Sequence, residues 1–223
     1  MRPVEGYLNR KSLSKFFKRL KKNGGQLSYR KVQNSSKKVY EANITLFNAF
    51  QKTDYDKKGK YFLERYISAH AVMIAFEGIP AIYFNSLFGT SNDEYNYIIS
   101  GNKRDLNRYK WNKKRLESLL KDKNSKQNIF YQKIMNLISI KKQNKAFHPN
   151  AKRENLNMGK KIFCFKRTSL DKKQIIYNIT NLSSKYQNIN INNKLRNYKN
   201  LLDKSKITHR IVLQPFETIW LSN

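Results

Sequence analysis

Two arginines flank an acid and an amide in the run Gly101-Asn-Lys-Arg-Asp-Leu-Asn-Arg108. Each guanidinium presents a planar fork of donors that fixes the orientation of whatever it meets. Arg104 and Arg108 are therefore candidates for holding a bound group. They follow the run Gly78-Ile-Pro-Ala-Ile-Tyr-Phe-Asn-Ser-Leu-Phe-Gly-Thr-Ser-Asn-Asp93, in which an apolar stretch gives way to a polar, glycine-containing loop. A buried strand with binding groups on the loop at its carboxyl end is how an α/β barrel presents a site. Asp93 and Asp105 are loop carboxylates in that position.

The other chemistry-bearing residues form no recognisable constellation. His70, His148 and His209 lie far apart, without metal-ligand spacing. Asp54 and Asp56 stand in Asp-Tyr-Asp-Lys-Lys-Gly59, which lacks the later ligands of a calcium loop. Gly24-Gly25 reads as a helix stop, not a phosphate cradle. Cys164 is the only cysteine, so no intrachain disulfide can form, and its alternating run Ile162-Phe-Cys-Phe165 marks a buried strand residue rather than a catalytic thiol.

The elements that must position these groups follow from hydrophobic periodicity. Helices are predicted over Ser12–Lys22 (stopped by Asn23-Gly-Gly25), Lys60–Phe76, Lys113–Lys121 and Gln127–Lys142. Gln26 to Lys38 reads as polar and irregular, and Tyr40 to Phe50 as mixed. Ile79–Phe84 reads as a short strand buried on both faces. After Phe147-His-Pro-Asn150 the pattern changes to period-two runs over Lys161–Thr168, Gln174–Asn181, Tyr186–Ile191 and Arg210–Leu221, an antiparallel β domain. The expected division is an α/β part over residues 1–145 and a β part over 146–223.

The chain has 223 residues, 39% of them hydrophobic and 13% aromatic, enough for a packed core. Its 46 lysines and arginines against 15 acids give a formal charge of +31. Such a balance suits an RNA or other polyanion partner and allows non-specific nucleic-acid binding. Joint enrichment in Lys, Asn, Ile, Tyr and Phe is also what AT-rich codons produce. No apolar signal core opens the chain. The apolar stretch 69–88 contains His70, Glu77, Gly78, Pro80 and Asn85, so it reads as helix plus strand with no role for a membrane. The expected compartment is the cytoplasm.

The order of several segments resembles the C-terminal part of the sucrose-phosphorylase-like and glucosylglycerate-phosphorylase-like enzymes of the alpha-amylase superfamily of glycoside hydrolases. Arg2-Pro-Val-Glu-Gly6 resembles the segment after the seventh strand of their (β/α)8 barrel. Ser28-Tyr-Arg30 and Tyr40 to Phe50 resemble a mobile active-site loop and the helix after it, and Glu64 to Met73 the seventh helix. Ile79–Phe84 resembles the eighth strand, Ala146 to Asn150 the end of the last barrel helix, and the remainder a small β domain. The resemblance implies a retaining transfer of an α-glucosyl unit to inorganic phosphate, with no cofactor and no metal. That reaction uses a carboxylate nucleophile and a carboxylic acid about 5 Å apart. The resemblance places these, and a third carboxylate that stabilises the transition state, before Arg2, so no catalytic residue is expected in the chain and a separate N-terminal chain would have to supply them. It implies substrate-binding roles for Tyr40 and Glu41 on the acceptor and phosphate side, and for Arg104 on the distal hydroxyls of the glucosyl unit. Read from the residues alone, Glu41 could instead cap the helix that follows, Tyr40 could be core, and Arg104 could be a solvated cation. An RNA- or polyanion-binding module, or a non-functional remnant of an interrupted gene, are the competing readings.

Overall fold

A computed structural model describes residues 6–32, 35–190, 197–207 and 210–223. The chain folds into two compact units interleaved along the sequence. The first takes 1–59 and 83–131, the second 60–82 and 132–223. This division differs from the expected junction near residue 146 because the helix over 62–75 packs on the C-terminal sheet.

The first unit opens with α1 (Arg10–Lys22). The Asn9 side chain accepts the Ser12 N–H at 2.9 Å and caps its start. At its end the N–H of Asn23 reaches the carbonyls of Arg19 and Leu20, and Gly24 turns the chain at φ +86°. Strands β1 (Gln26–Val32) and β2 (Ser35–Asn43) follow as an antiparallel hairpin. The expected irregular stretch over Gln26–Lys38 is thus a correction. Its apolar content is too low to show period two, and cross-strand hydrogen bonds hold it instead. Next come α2 (Leu46–Gln51), capped by Thr45, and, later in the chain, α4 (Phe84–Leu87), α5 (Glu94–Ser100), a 3-10 turn over Lys103–Asn107 and α6 (Lys113–Lys121). The core of the unit gathers Leu20, Leu27, Phe47, Phe88, Leu106, Leu116 and Phe130. Gly89 adopts φ +54°, and a Cβ there would sit 2.8 Å from the Phe130 ring, so the turn requires glycine.

The second unit sets α3 (Phe62–Ala75) against a five-stranded antiparallel sheet. Its strands are β3 (Lys152–Asn157), β4 (Ile162–Thr168), β5 (Ile175–Asn181), β7 (Lys199–Asn200) and β9 (Thr218–Ser222), in the order β3-β4-β5-β9-β7. A two-stranded sheet of β6 (Gln187–Asn190) and β8 (Arg210–Leu213) joins the same core through Ile189, Ile211 and Leu213, which pack with Cys164, Ile179, Ile219 and Leu221. The antiparallel β domain is therefore present. The expected strand over Arg210–Leu221 is divided by a turn into β8 and β9. Ile191 lies outside the described residues. Helix α7 (Lys126–Gln143) runs from the first unit into the second.

Arg167 on β4 is completely buried and forms no ion pair with a carboxylate among the described residues. It donates to the carbonyls of Ala75 at 2.6 Å, His148 at 2.7 Å and Ala151 at 3.1 Å. These groups close the C-terminal end of α3, where the helix dipole favours a cation.

The strand expected over Ile79–Phe84 is not formed. Residues 79–83 have no secondary structure, and α4 begins at Phe84. No backbone hydrogen bond joins residues 79–82 to another described residue. A strand exists only through hydrogen-bonded neighbours, and this segment has none. Among the described residues no helix is long and apolar enough to cross a membrane.

Candidate functional site

The three residues marked as candidates for binding, Tyr40, Glu41 and Arg104, come together in the first unit. Tyr40 and Glu41 lie on β2. The register pairs Ser28 with Glu41 and Tyr29 with Val39, which leaves Tyr40 as the extra residue of a β-bulge. Bulges re-aim side chains, and the Tyr40 ring is half exposed instead of core. Arg104 lies on the 3-10 turn, whose start is fixed by the Asn102 side chain accepting the Arg104 N–H at 3.1 Å.

The Arg104 guanidinium donates from Nε to Glu41 Oε2 at 3.1 Å. The two residues are 63 positions apart in sequence. The Glu41 carboxylate, by hydrogen bond and charge, raises the pKa of Arg104 above its ordinary value, with a smaller contribution from Tyr40. Glu41 is therefore not a helix cap; Thr45 performs that role for α2. A second tie runs beside the ion pair: Lys103 donates from Nζ to the Leu27 carbonyl at 2.7 Å. The 3-10 turn is thus held to both strands of the hairpin. Arg108 is exposed and forms no ion pair among the described residues.

The loop beneath this pair is built from amides that the sequence did not single out. The Asn92 side chain accepts the Thr45 N–H at 2.9 Å, its backbone N–H donates to Asn48 Oδ1 at 2.9 Å, and its Nδ2 donates to the Gly24 carbonyl at 3.1 Å. It joins the end of α1, the start of α2 and the loop leading to Asp93. The Asp93 carboxylate accepts the Asn96 N–H and caps α5, while its own N–H donates to the Leu106 carbonyl at 2.7 Å. Asn85 donates to the Tyr109 carbonyl at 3.0 Å. Its Oδ1, and that of Asn107, are buried without a partner and line a small cavity of about 40 Å³ with Thr45, Tyr83 and Thr90. Two free acceptors in a space of that size suit a buried water. The only signal for Asn85 in the sequence was an amide inside an apolar run.

The remaining candidates have structural explanations. Asp54 pairs with Arg19 and Lys15. His70 is buried in α3 and hydrogen-bonded to the Tyr66 carbonyl at 2.9 Å; burial lowers its pKa. Burial pushes the Cys164 thiol up to about 12, the state of an inert core cysteine. Among the described residues no group of three or more His, Cys, Asp or Glu converges.

No family model matches the chain. It is 29% identical over 149 residues to the glucosylglycerate phosphorylase of Allomeiothermus silvanus, covering 67% of this chain and 27% of that protein. Against the glucosylglycerate phosphorylase of Escherichia coli it is 26% identical over 150 residues, covering 67% and 26%. The Spirochaeta thermophila enzyme of the same name matches 76% of the chain at 25% identity. The chain is a homologue of glucosylglycerate phosphorylases. It spans about a quarter of the length of these curated relatives. Among solved structures, AmyP in complex with maltose superposes with a TM-score of 0.54 at 14% identity, covering 72% of this chain and 34% of that one. A trehalulose synthase gives 0.55 at 12% identity, covering 71% and 38%. These likenesses show a shared fold over the matched residues.

Proposed function

We propose that this chain is the C-terminal part of a retaining α-glucosyl phosphorylase of the glucosylglycerate type. In this reading residues 1–145 contribute the last strand and helices of a (β/α)8 barrel, and 146–223 its terminal β domain. Tyr40, Glu41 and Arg104 form one wall of the sugar site. The observation that carries the proposal is the Glu41–Arg104 pair, which joins two positions 63 residues apart that the resemblance independently assigns to sugar binding.

The chemistry expected of each residue follows from its setting. Glu41 occupies Arg104 Nε and fixes the plane of the guanidinium. The two Nη groups remain for hydroxyls of a glucosyl unit. Tyr40, raised on the bulge, borders the acceptor and phosphate side. Bond making and breaking needs two carboxylates about 5 Å apart, and these are supplied by polypeptide outside the 223 residues. Sugar and inorganic phosphate are the substrates of the completed site.

A chimera tests this. The C-terminal quarter of the Escherichia coli glucosylglycerate phosphorylase is replaced by this chain, and release of glucose 1-phosphate from glucosylglycerate and phosphate is measured. Turnover that falls about 10- to 100-fold in Arg104→Ala supports the reading. A folded chimera without turnover, or robust turnover by the 223 residues alone, overturns it.

A further inference from the structure

From Gly6 to Tyr40 the sequence carries 11 lysines and arginines and no acid; apart from Glu5, every acidic residue lies at Glu41 or beyond. The positive charge, although present throughout, is concentrated here. The fold gathers it on α1 and the β1–β2 hairpin, which pack against each other. On α1, Lys11, Lys15, Lys18 and Lys22 are exposed at intervals of four, three and four residues. That spacing draws one stripe along the helix, with a cation at each turn of about 5.4 Å.

On the hairpin, Arg30, Lys31, Lys37 and Lys38 are exposed, and the register sets Arg30 directly opposite Lys38. Like charges facing each other across an antiparallel pair are destabilising. Of the cations of this segment, Lys15 and Arg19 share Asp54 as partner. The other seven exposed lysines and arginines of the stripe and hairpin, Lys11, Lys18, Lys22, Arg30, Lys31, Lys37 and Lys38, have no acidic partner among the described residues. Two aromatic rings stand in the same segment: Tyr7 is 87% exposed and Tyr29 47%.

We propose that α1 and the β1–β2 hairpin form a binding surface for single-stranded RNA. The cation stripe follows the phosphate backbone, and the exposed tyrosines supply stacking platforms for bases. An anionic membrane fits less well. An amphipathic helix binds lipid by burying its apolar face in the bilayer, and on α1 that face is already engaged: Leu20 is buried, and Leu13, Phe16 and Phe17 are half-buried.

The test is fluorescence anisotropy of a labelled 20-nucleotide oligo-uridine with the full chain across a salt series. Log affinity falls linearly with log salt, with a slope of about −0.7 for each phosphate neutralised. Replacing Arg30, Lys31, Lys37 and Lys38 together by Ala reduces that slope by about 3. Tyr29→Ala weakens binding about 10-fold at unchanged slope. A control set of equally exposed lysines, Lys121, Lys123, Lys160 and Lys161, leaves the slope unchanged when replaced by Ala. Circular dichroism checks that each variant is folded. The proposal is overturned if the control set lowers the slope as much as the hairpin set, since net charge alone then explains binding. It is also overturned if no binding persists near physiological salt, or if heparin or anionic vesicles bind as tightly and Tyr29→Ala changes nothing.

Discussion

Substitution at Glu41 and Arg104 separates a stabilising contact from a binding one. The pair is 3.1 Å long, but its side chains are 33% and 45% exposed. Ion pairs in such solvent contact add little to folding. Urea unfolding of Arg104→Ala, Glu41→Gln and the double variant should therefore leave the midpoint close to that of the parent chain. Binding is different. With Nε committed to Glu41, the guanidinium keeps its Nη donors for substrate, and truncation to Ala removes all of them. Losing hydrogen bonds from a charged donor corresponds to a fall of about 10- to 100-fold in kcat/KM. The assay is phosphorolysis of glucosylglycerate by the chimera described above. Arg104→Lys should remain near the Ala value, because an ammonium keeps the charge and loses the fork. Glu41→Gln should fall between parent and Ala, since an amide oxygen still accepts from Nε without the charge. A large shift of the unfolding midpoint in Arg104→Ala, or a kcat/KM within a factor of about 3 of the parent, would refute the reasoning.

The Cys164 thiol, pushed up to about 12 by burial, should stay unreactive toward a thiol-labelling disulfide in the folded chain and react fully in denaturant; fast labelling of the native chain would contradict its place in the core. The His70 imidazole is lowered by burial, so below its unfolded pKa of about 6.5 the unfolded chain binds the extra proton and stability falls with pH. Urea midpoints at pH 7 and pH 5 should differ in the parent and converge in His70→Gln. Gly89→Ala places a methyl against the Phe130 ring at positive φ and should cost about 1–3 kcal/mol in the same unfolding assay.

What the sequence revealed follows from how local each signal is. Lys113–Lys121 is a helix at the predicted residues because apolar spacing and a capping Asn112 both act within one element. The hairpin escaped because its residues are mostly charged or small, and among its described side chains Leu27 and Asn43 are the buried ones. Strand β3 escaped for a related reason: Lys152–Asn157 is an edge strand with largely exposed side chains, so it carries no alternation of its own. Arg167 occupies a buried strand position that periodicity assigns to an apolar residue. Its partners are carbonyls from α3 and from residues 148 and 151, and no local pattern reports them. Resemblance marked Glu41 and Arg104 separately; their hydrogen bond depends on a bulge and a 3-10 turn that neither segment reveals alone.

The segment 79–84 shows how the same sequence signal supports the proposed reading even where the predicted strand is not formed. Ile79-Pro-Ala-Ile-Tyr-Phe84 is apolar enough for a strand buried on both faces, yet Ile79 is 87% exposed, Tyr83 52% and Phe84 53%. Backbone hydrogen bonds are equally lacking over residues 79–82. A side chain of this size left in water forgoes roughly 1.5–3 kcal/mol of burial, and unpaired strand backbone is a template for pairing. Both deficits have one remedy, a strand on either side, which is the environment of an interior barrel strand. The curated relatives are about four times as long as the part this chain matches. On this reasoning the exposed apolar residues and the absent strand are one observation; Arg104 lies on the 3-10 turn that follows this segment in the chain, and Glu41 reaches it from β2.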